Sequence, residues 1–179
     1  MPRKSKIKTI DWLIKNYLSF FNDFALSENY IRDYFEEWKI NNRDRIEDYI
    51  WHLFNLLLSE NAYNAKDLYS FYKKNDSIYT QMLYFRRKYE NNSANEIKRL
   101  IDKNKIDLYN EDSKYELEVF IITTKDCKAC IGLESQVFSI EEASQGDIIP
   151  YDKCDRYIGC TCSYSIKAKK NSNGRLIRK

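Results

Sequence analysis

Residues 126–162 read DCKACIGLESQVFSIEEASQGDIIPYDKCDRYIGCTC and hold all five cysteines of the chain. No cysteine precedes or follows that segment. Confining every thiol to one short stretch is a local chemical signal. Cys127 and Cys130 have the two-residue spacing of a metal knuckle, in which a tight turn carries both thiolates to one ion. Cys154, Cys160 and Cys162 follow at a distance suited to the second half of a tetrahedral site. Four thiolates at about 2.3 Å saturate a zinc ion and leave no position for water, so the pattern predicts one structural Zn²⁺. Such an ion would cross-link two hairpins that have too few apolar residues to hold themselves together. Five cysteines compete for four places. Cys127 and Cys130 form the first pair, and Cys154 with one of Cys160 and Cys162 completes the set. Cys162 is favoured over Cys160, because neighbouring residues of a strand point to opposite faces.

Upstream of the first knuckle, the run YELEVFIITT (residues 115–124) alternates and then turns apolar, a strand signal rich in β-branched residues. Residues 136–140 (QVFSI) and 161–166 (TCSYSI) supply two more short strands. Before residue 110 the period is helical. Ile10, Leu13, Tyr17, Phe20, Phe21 and Phe24 form one stripe, and Ile46, Tyr49, Ile50, Leu53, Phe54 and Leu57 another. Ser27 reads as an N-cap, with Leu26 and Ile31 as a hydrophobic staple. A further helix is expected over residues 65–89, with a candidate break near Asn75, Asp76 and Ser77. Ser93 and Glu96 fit a capping box ahead of Ile97, Leu100 and Ile101. The predicted fold class is α+β: a mostly helical body over residues 1–110, a small zinc-stabilised β module over 111–168 and a basic tail over 169–179.

At 43% hydrophobic residues the 179-residue chain can bury a core, while 32% charged residues and a mean hydropathy of −0.69 match a water-exposed surface. No apolar run approaches the roughly 20 residues of a membrane helix. The N-terminal MPRKSK is not followed by an apolar stretch with a cleavage site, so no secretory signal is expected. The chain is read as kept in a reducing compartment, where disulfides are disfavoured. A Ser/His/Asp set would have to use the single histidine, His52, which reads as a core or interface residue on an apolar helix face, and four glycines offer no phosphate loop; no catalytic zinc site is expected. No enzymatic activity and no small-molecule substrate are expected. Charge is uneven: Arg156, Lys167, Lys169, Lys170, Arg175, Arg178 and Lys179 lie at the C-terminal end with no acid among them, and the rest of the chain is mildly acidic. Such an end can contact DNA or an acidic protein surface.

The cysteine segment resembles the C-terminal motif of the phage head-morphogenesis, or minor head, proteins typified by the F protein of phage Mu. The resemblance covers residues 127–162, about a fifth of the chain. It is carried by Cys127-Lys128-Ala129-Cys130, Leu133-Glu134-Ser135, Val137-Phe138-Ser139-Ile140, Pro150, Cys154 and Cys160-Thr161-Cys162. Cys154 stands at the family's usual histidine, Ser135 at its glycine, and the gap from Cys154 to Cys160 is longer than the family's ending. The resemblance implies a virion protein near the portal or head–tail junction, made in the host cytoplasm, whose partners are portal, capsid or neck subunits. Two other readings stay open: a nucleic-acid-binding zinc protein, and a thiol redox protein acting through Cys127 and Cys130.

Overall fold

The computed structural model describes residues 8–124, 127–145 and 148–179; the N-terminal MPRKSK lies outside the described residues. The chain divides into two compact units, Met1–Tyr63 and Asn64–Lys179. Among the described residues there are six α-helices and one three-stranded antiparallel sheet.

The first unit is built from three amphipathic helices, α1 (Ile10–Asn22), α2 (Glu28–Asn41) and α3 (Ile46–Asn64). Thr9 caps α1 by accepting the Trp12 amide at 3.2 Å. Ser27 caps α2 as the sequence predicts, accepting the Tyr30 amide at 3.2 Å, and the staple residues Leu26 and Ile31 are both buried. On α3 the buried residues Ile46, Tyr49, Ile50, Leu53, Phe54 and Leu57 recur at helical spacing and form one stripe. The core is aromatic: Phe54 meets Tyr17 and Phe21 with ring centroids 6.1 and 6.0 Å apart, and Tyr49 meets Phe35 at 4.9 Å. The buried Tyr49 hydroxyl donates to the Ile31 carbonyl at 2.8 Å, so its polar end is satisfied. His52 lies 2.9 Å from the Tyr34 hydroxyl on the same unit.

The second unit opens with α4 (Leu68–Phe85), capped by Asp67. The helix runs through Asn75 without the break the sequence allowed. It passes into a π-helical turn, Arg86–Glu90, which ends at Asn91 in the left-handed region (φ 55°), a conformation asparagine tolerates. α5 (Asn95–Asp112) follows. Its N-cap is Ala94, which makes no side-chain capping bond, so the predicted Ser93 box does not form. The sheet has the order β2-β1-β3, with β1 (Leu117–Ile122) central, β2 (Val137–Ser139) on one side and β3 (Ser163–Ala168) on the other. β1 and β2 fall in the stretches the sequence marked, and β3 is shifted by two residues, starting at Ser163 and running past the expected end to Ala168. Val119 pairs with Phe138 and with Ile166, and their face packs on Ile106 of α5 and on Ile140 and Ala143 of α6 (Ile140–Ser144). Ser139 and Glu142 form a reciprocal capping box that starts α6 directly off β2.

Two boundaries differ from the expectation. Helices α4 and α5, assigned above to an N-terminal helical body, belong with the sheet, so the division falls after Tyr63 and not near residue 110. The cause is the α5 face that covers the sheet. Residues 169–179 are not a loose tail. Lys170 bridges Leu176 across a turn, and the last residues wedge beside the start of β1: the Glu116 amide donates to the Ile177 carbonyl at 2.9 Å and the Lys179 amide to the Lys114 carbonyl at 3.1 Å. No described helix is long and apolar enough to cross a membrane.

Candidate metal centre

Strand register places the site. Ile122, at the end of β1, pairs with Ser163, at the start of β3. The chain leaving β1 therefore lies beside the chain entering β3, and the two cysteine pairs sit on these adjoining segments. After β1, the Cys127 amide donates to the Thr124 carbonyl (2.8 Å) and the Cys130 amide to the Cys127 carbonyl (3.1 Å), forming the knuckle turn. Before β3, Gly159 takes φ +91° and turns the backbone into Cys160.

The Sγ atoms of Cys127, Cys130, Cys160 and Cys162 all lie within 4.8 Å of one another, and all four residues are buried. A tetrahedron of thiolates at about 2.3 Å from zinc has sulfur–sulfur edges of about 3.8 Å. The observed spread fits one ion at the centre. All five cysteines are unbridged. Ile121, Ile149 and Tyr151 pack around the four sulfurs, so water is kept from them.

The set departs from the expected one at a single place. Cys154 is not among the four; it is half-buried and packs against the outside of the cluster, while Cys160 and Cys162 both take part. Strand alternation does not separate Cys160 from Cys162, because β3 begins only at Ser163. Irregular backbone after Gly159 lets both side chains turn the same way.

Burial dominates the electrostatics of the thiols. It raises Cys127 and, far more, Cys130, and pushes Cys160 up to about 12. Cys162 behaves oppositely. Burial alone would raise it, but hydrogen bonds from the Thr124 amide (3.5 Å), the Thr124 hydroxyl (3.8 Å) and the Cys130 and Cys127 thiols together carry it below the ordinary thiol range. A buried group of four thiolates without a cation would be strongly disfavoured. The donor set of four close, soft sulfurs therefore could hold a metal ion.

Side chains that the cysteine spacing does not reveal hold the second pair. Arg87, in the π-helical turn, donates from Nε to the Ile158 carbonyl (3.1 Å) and from Nη2 to the Cys160 carbonyl (2.7 Å). Asn95, at the start of α5, accepts the Cys160 amide at Oδ1 (2.7 Å) and donates from Nδ2 to the Tyr151 carbonyl (2.8 Å). Tyr151 in turn donates its hydroxyl to Asp102 (2.7 Å), which also pairs with Lys98. Gly159 beside a Cys-x-Cys pair is the one trace of this arrangement in the sequence.

The C-terminal cations are distributed. Arg156 donates to the Thr161 hydroxyl (2.8 Å), Lys167 lies 4.4 Å over the Phe120 ring, Lys169 pairs with Glu116 (3.3 Å), and Lys179 donates to the Asn110 carbonyl. Lys170, Arg175 and Arg178 lie on the hairpin. No protein-family model, curated protein or solved structure matches the chain.

Proposed function

We propose that the protein is a non-enzymatic structural component of a phage virion, a minor head or head–tail-junction protein, with one structural zinc on Cys127, Cys130, Cys160 and Cys162. The observation that carries the metal assignment is the set of four buried sulfurs within 4.8 Å of one another. So tight a group encloses a single ion and leaves no room for a bridged multi-iron cluster. With four thiolates the ion has no open coordination position, so its work is to hold backbone and not to activate water. The virion role is supported by the order of motif residues from Cys127 to Cys162 and by 15 tyrosines and three tryptophans, residue types that suit extended protein interfaces. Portal, capsid or neck subunits are the partners this reading implies.

Metal analysis of the purified, reduced chain tests the first half: one zinc per chain is expected, and a metal-free chain with a mass lowered by disulfide formation overturns it. The second half is tested by probing gradient-purified phage particles with antibody to the chain. A few copies per particle are expected, and absence from intact particles refutes the virion role. A nucleic-acid-binding reading draws on one observation, the ordered hairpin that presents Lys170, Arg175 and Arg178. Tight DNA binding by the isolated chain that weakens steeply with salt would favour it.

A further inference from the structure

We propose that Arg87 and Asn95 are positioning residues of the metal centre: they fix the backbone of the Cys160 half from outside the cysteine segment, and Arg87 supplies positive charge against the four thiolates. The proposal rests on the reading of the four cysteines as a zinc site.

Both backbone polar groups of Cys160 are held by helix-borne side chains remote in sequence. Its carbonyl accepts from Arg87 at 2.7 Å and its amide donates to Asn95 at 2.7 Å. The ligand therefore has its main chain clamped on both sides. The loop also comes very close to the start of α5. A Cβ on Gly159 would stand 2.7 Å from Asn95 Oδ1 and 3.1 Å from the Ala94 amide nitrogen. The N-cap position of α5 is Ala94, which offers no capping side chain, and the Asn95 side chain at the helix's first residue is committed to the loop. The π-helical turn accounts for Arg87. Arg87 stands inside this turn, and from there its guanidinium reaches the Ile158 and Cys160 carbonyls.

Charge supplies the second reason. A divalent cation on four thiolates leaves a doubly negative centre, and burying net charge is costly unless opposite charge is near. Arg87 is only part-exposed, and its guanidinium abuts the Cys160 main chain. Groups of this kind, which touch the ligands and not the ion, typically change metal affinity by about 10–100-fold.

The test uses the full chain, reduced and anaerobic, with Co²⁺ as a spectroscopic probe and zinc affinity measured by competition with a chromophoric chelator. Wild type should bind one Co²⁺ with the charge-transfer and d–d bands of a tetrahedral four-thiolate site. Asn95→Ala should weaken zinc about 10–100-fold and shift the d–d bands, because the Cys160 amide is released. Arg87→Met should weaken zinc by a similar factor, and Arg87→Lys, which keeps the charge, should recover part of that loss. A purely structural role would lower thermal stability without this charge-dependent order and without moving the cobalt bands. If Arg87→Met does not fold, Arg87→Lys and Asn95→Ala decide: zinc affinity and cobalt bands equal to wild type in both overturn the proposal. A wild-type chain without four-thiolate bands overturns the metal assignment itself, which separates that failure from this one.

Discussion

Each cysteine carries a different weight at the site. Serine in place of Cys127 or Cys130 exchanges a thiolate for a hydroxyl that zinc does not hold. Structural zinc contributes apparent binding free energies of about 10–16 kcal/mol, comparable to a domain's entire stability. Cys127→Ser or Cys130→Ser should therefore abolish the one-to-one metal content and open residues 115–166 to protease, while much of the helical circular dichroism remains. Cys160→Ser should behave in the same way. Cys154→Ser should keep one zinc per chain, since Cys154 stands outside the four. Loss of zinc in Cys154→Ser with retention in Cys160→Ser would restore the ligand set that strand alternation suggests. The thiols also fix the direction of the pH response. With Cys127, Cys130 and Cys160 raised by burial, the last to about 12, these groups are protonated in the metal-free protein near neutral pH. Zinc must displace their protons, so its affinity should rise with pH by more than about tenfold per unit, because more than one proton leaves. The metal-free fold should respond in the opposite sense. A folded pKa raised above the unfolded one gives stability that is present below the ordinary thiol range and lost as pH climbs toward about 12. Competition titrations and urea melts at several pH values read the two slopes, and a pH-independent affinity would contradict the four-thiolate assignment.

At the level of elements, the knuckle before β3 depends on one backbone torsion. Gly159 sits at φ +91° with no room for a methyl group beside Asn95 and Ala94. Gly159→Ala should cost about 1–3 kcal/mol from backbone strain, with the steric clash added. It should weaken zinc together with stability, both readable in one thermal melt with and without metal. Ser27→Ala offers the contrast: loss of the α2 cap should cost about 1 kcal/mol and leave zinc content unchanged. These two positions also mark what the sequence makes legible. Ser27, the staple at Leu26 and Ile31, the α3 stripe and the three strands follow from local periodicity and capping, which act over a few residues, and the structure agrees with each apart from the two-residue shift of β3. The start of α5 is not legible in that way: Ala94, and not Ser93, holds the cap position, and the Asn95 side chain bonds to the Cys160 amide 65 residues away. The grouping of Cys160 with Cys162 is obscured for a related reason: both precede β3, where strand alternation does not hold. Arg87 and Asn95 lie 73 and 65 residues from Cys160, and no short-range pattern ties them to it.

For the whole molecule, the division into Met1–Tyr63 and Asn64–Lys179 places all four clustered cysteines in one unit. The first unit has its own aromatic core around Phe54 and Tyr49 and contains no cysteine. In the second, the four cysteines, Arg87 on the π-turn, Asn95 and Asp102 on α5, and Tyr151 form one connected set, so the cysteine loops are tied to α5 and the π-turn as well as to the sheet. Removing zinc should therefore reach beyond the cysteine segment. Amide exchange under native conditions distinguishes opening of a local unit from global unfolding. After chelation, fast exchange is expected at residues 127–133 and 151–163, with clear loss of protection at the start of α5, where Asn95 loses an ordered partner. Residues 10–63 should keep the protection of the zinc-loaded protein. If chelation loosens only residues 127–133, the second half of the site is held by its protein contacts alone. If it unfolds residues 10–63 as well, the two units share one cooperative transition and the zinc stabilises the entire chain.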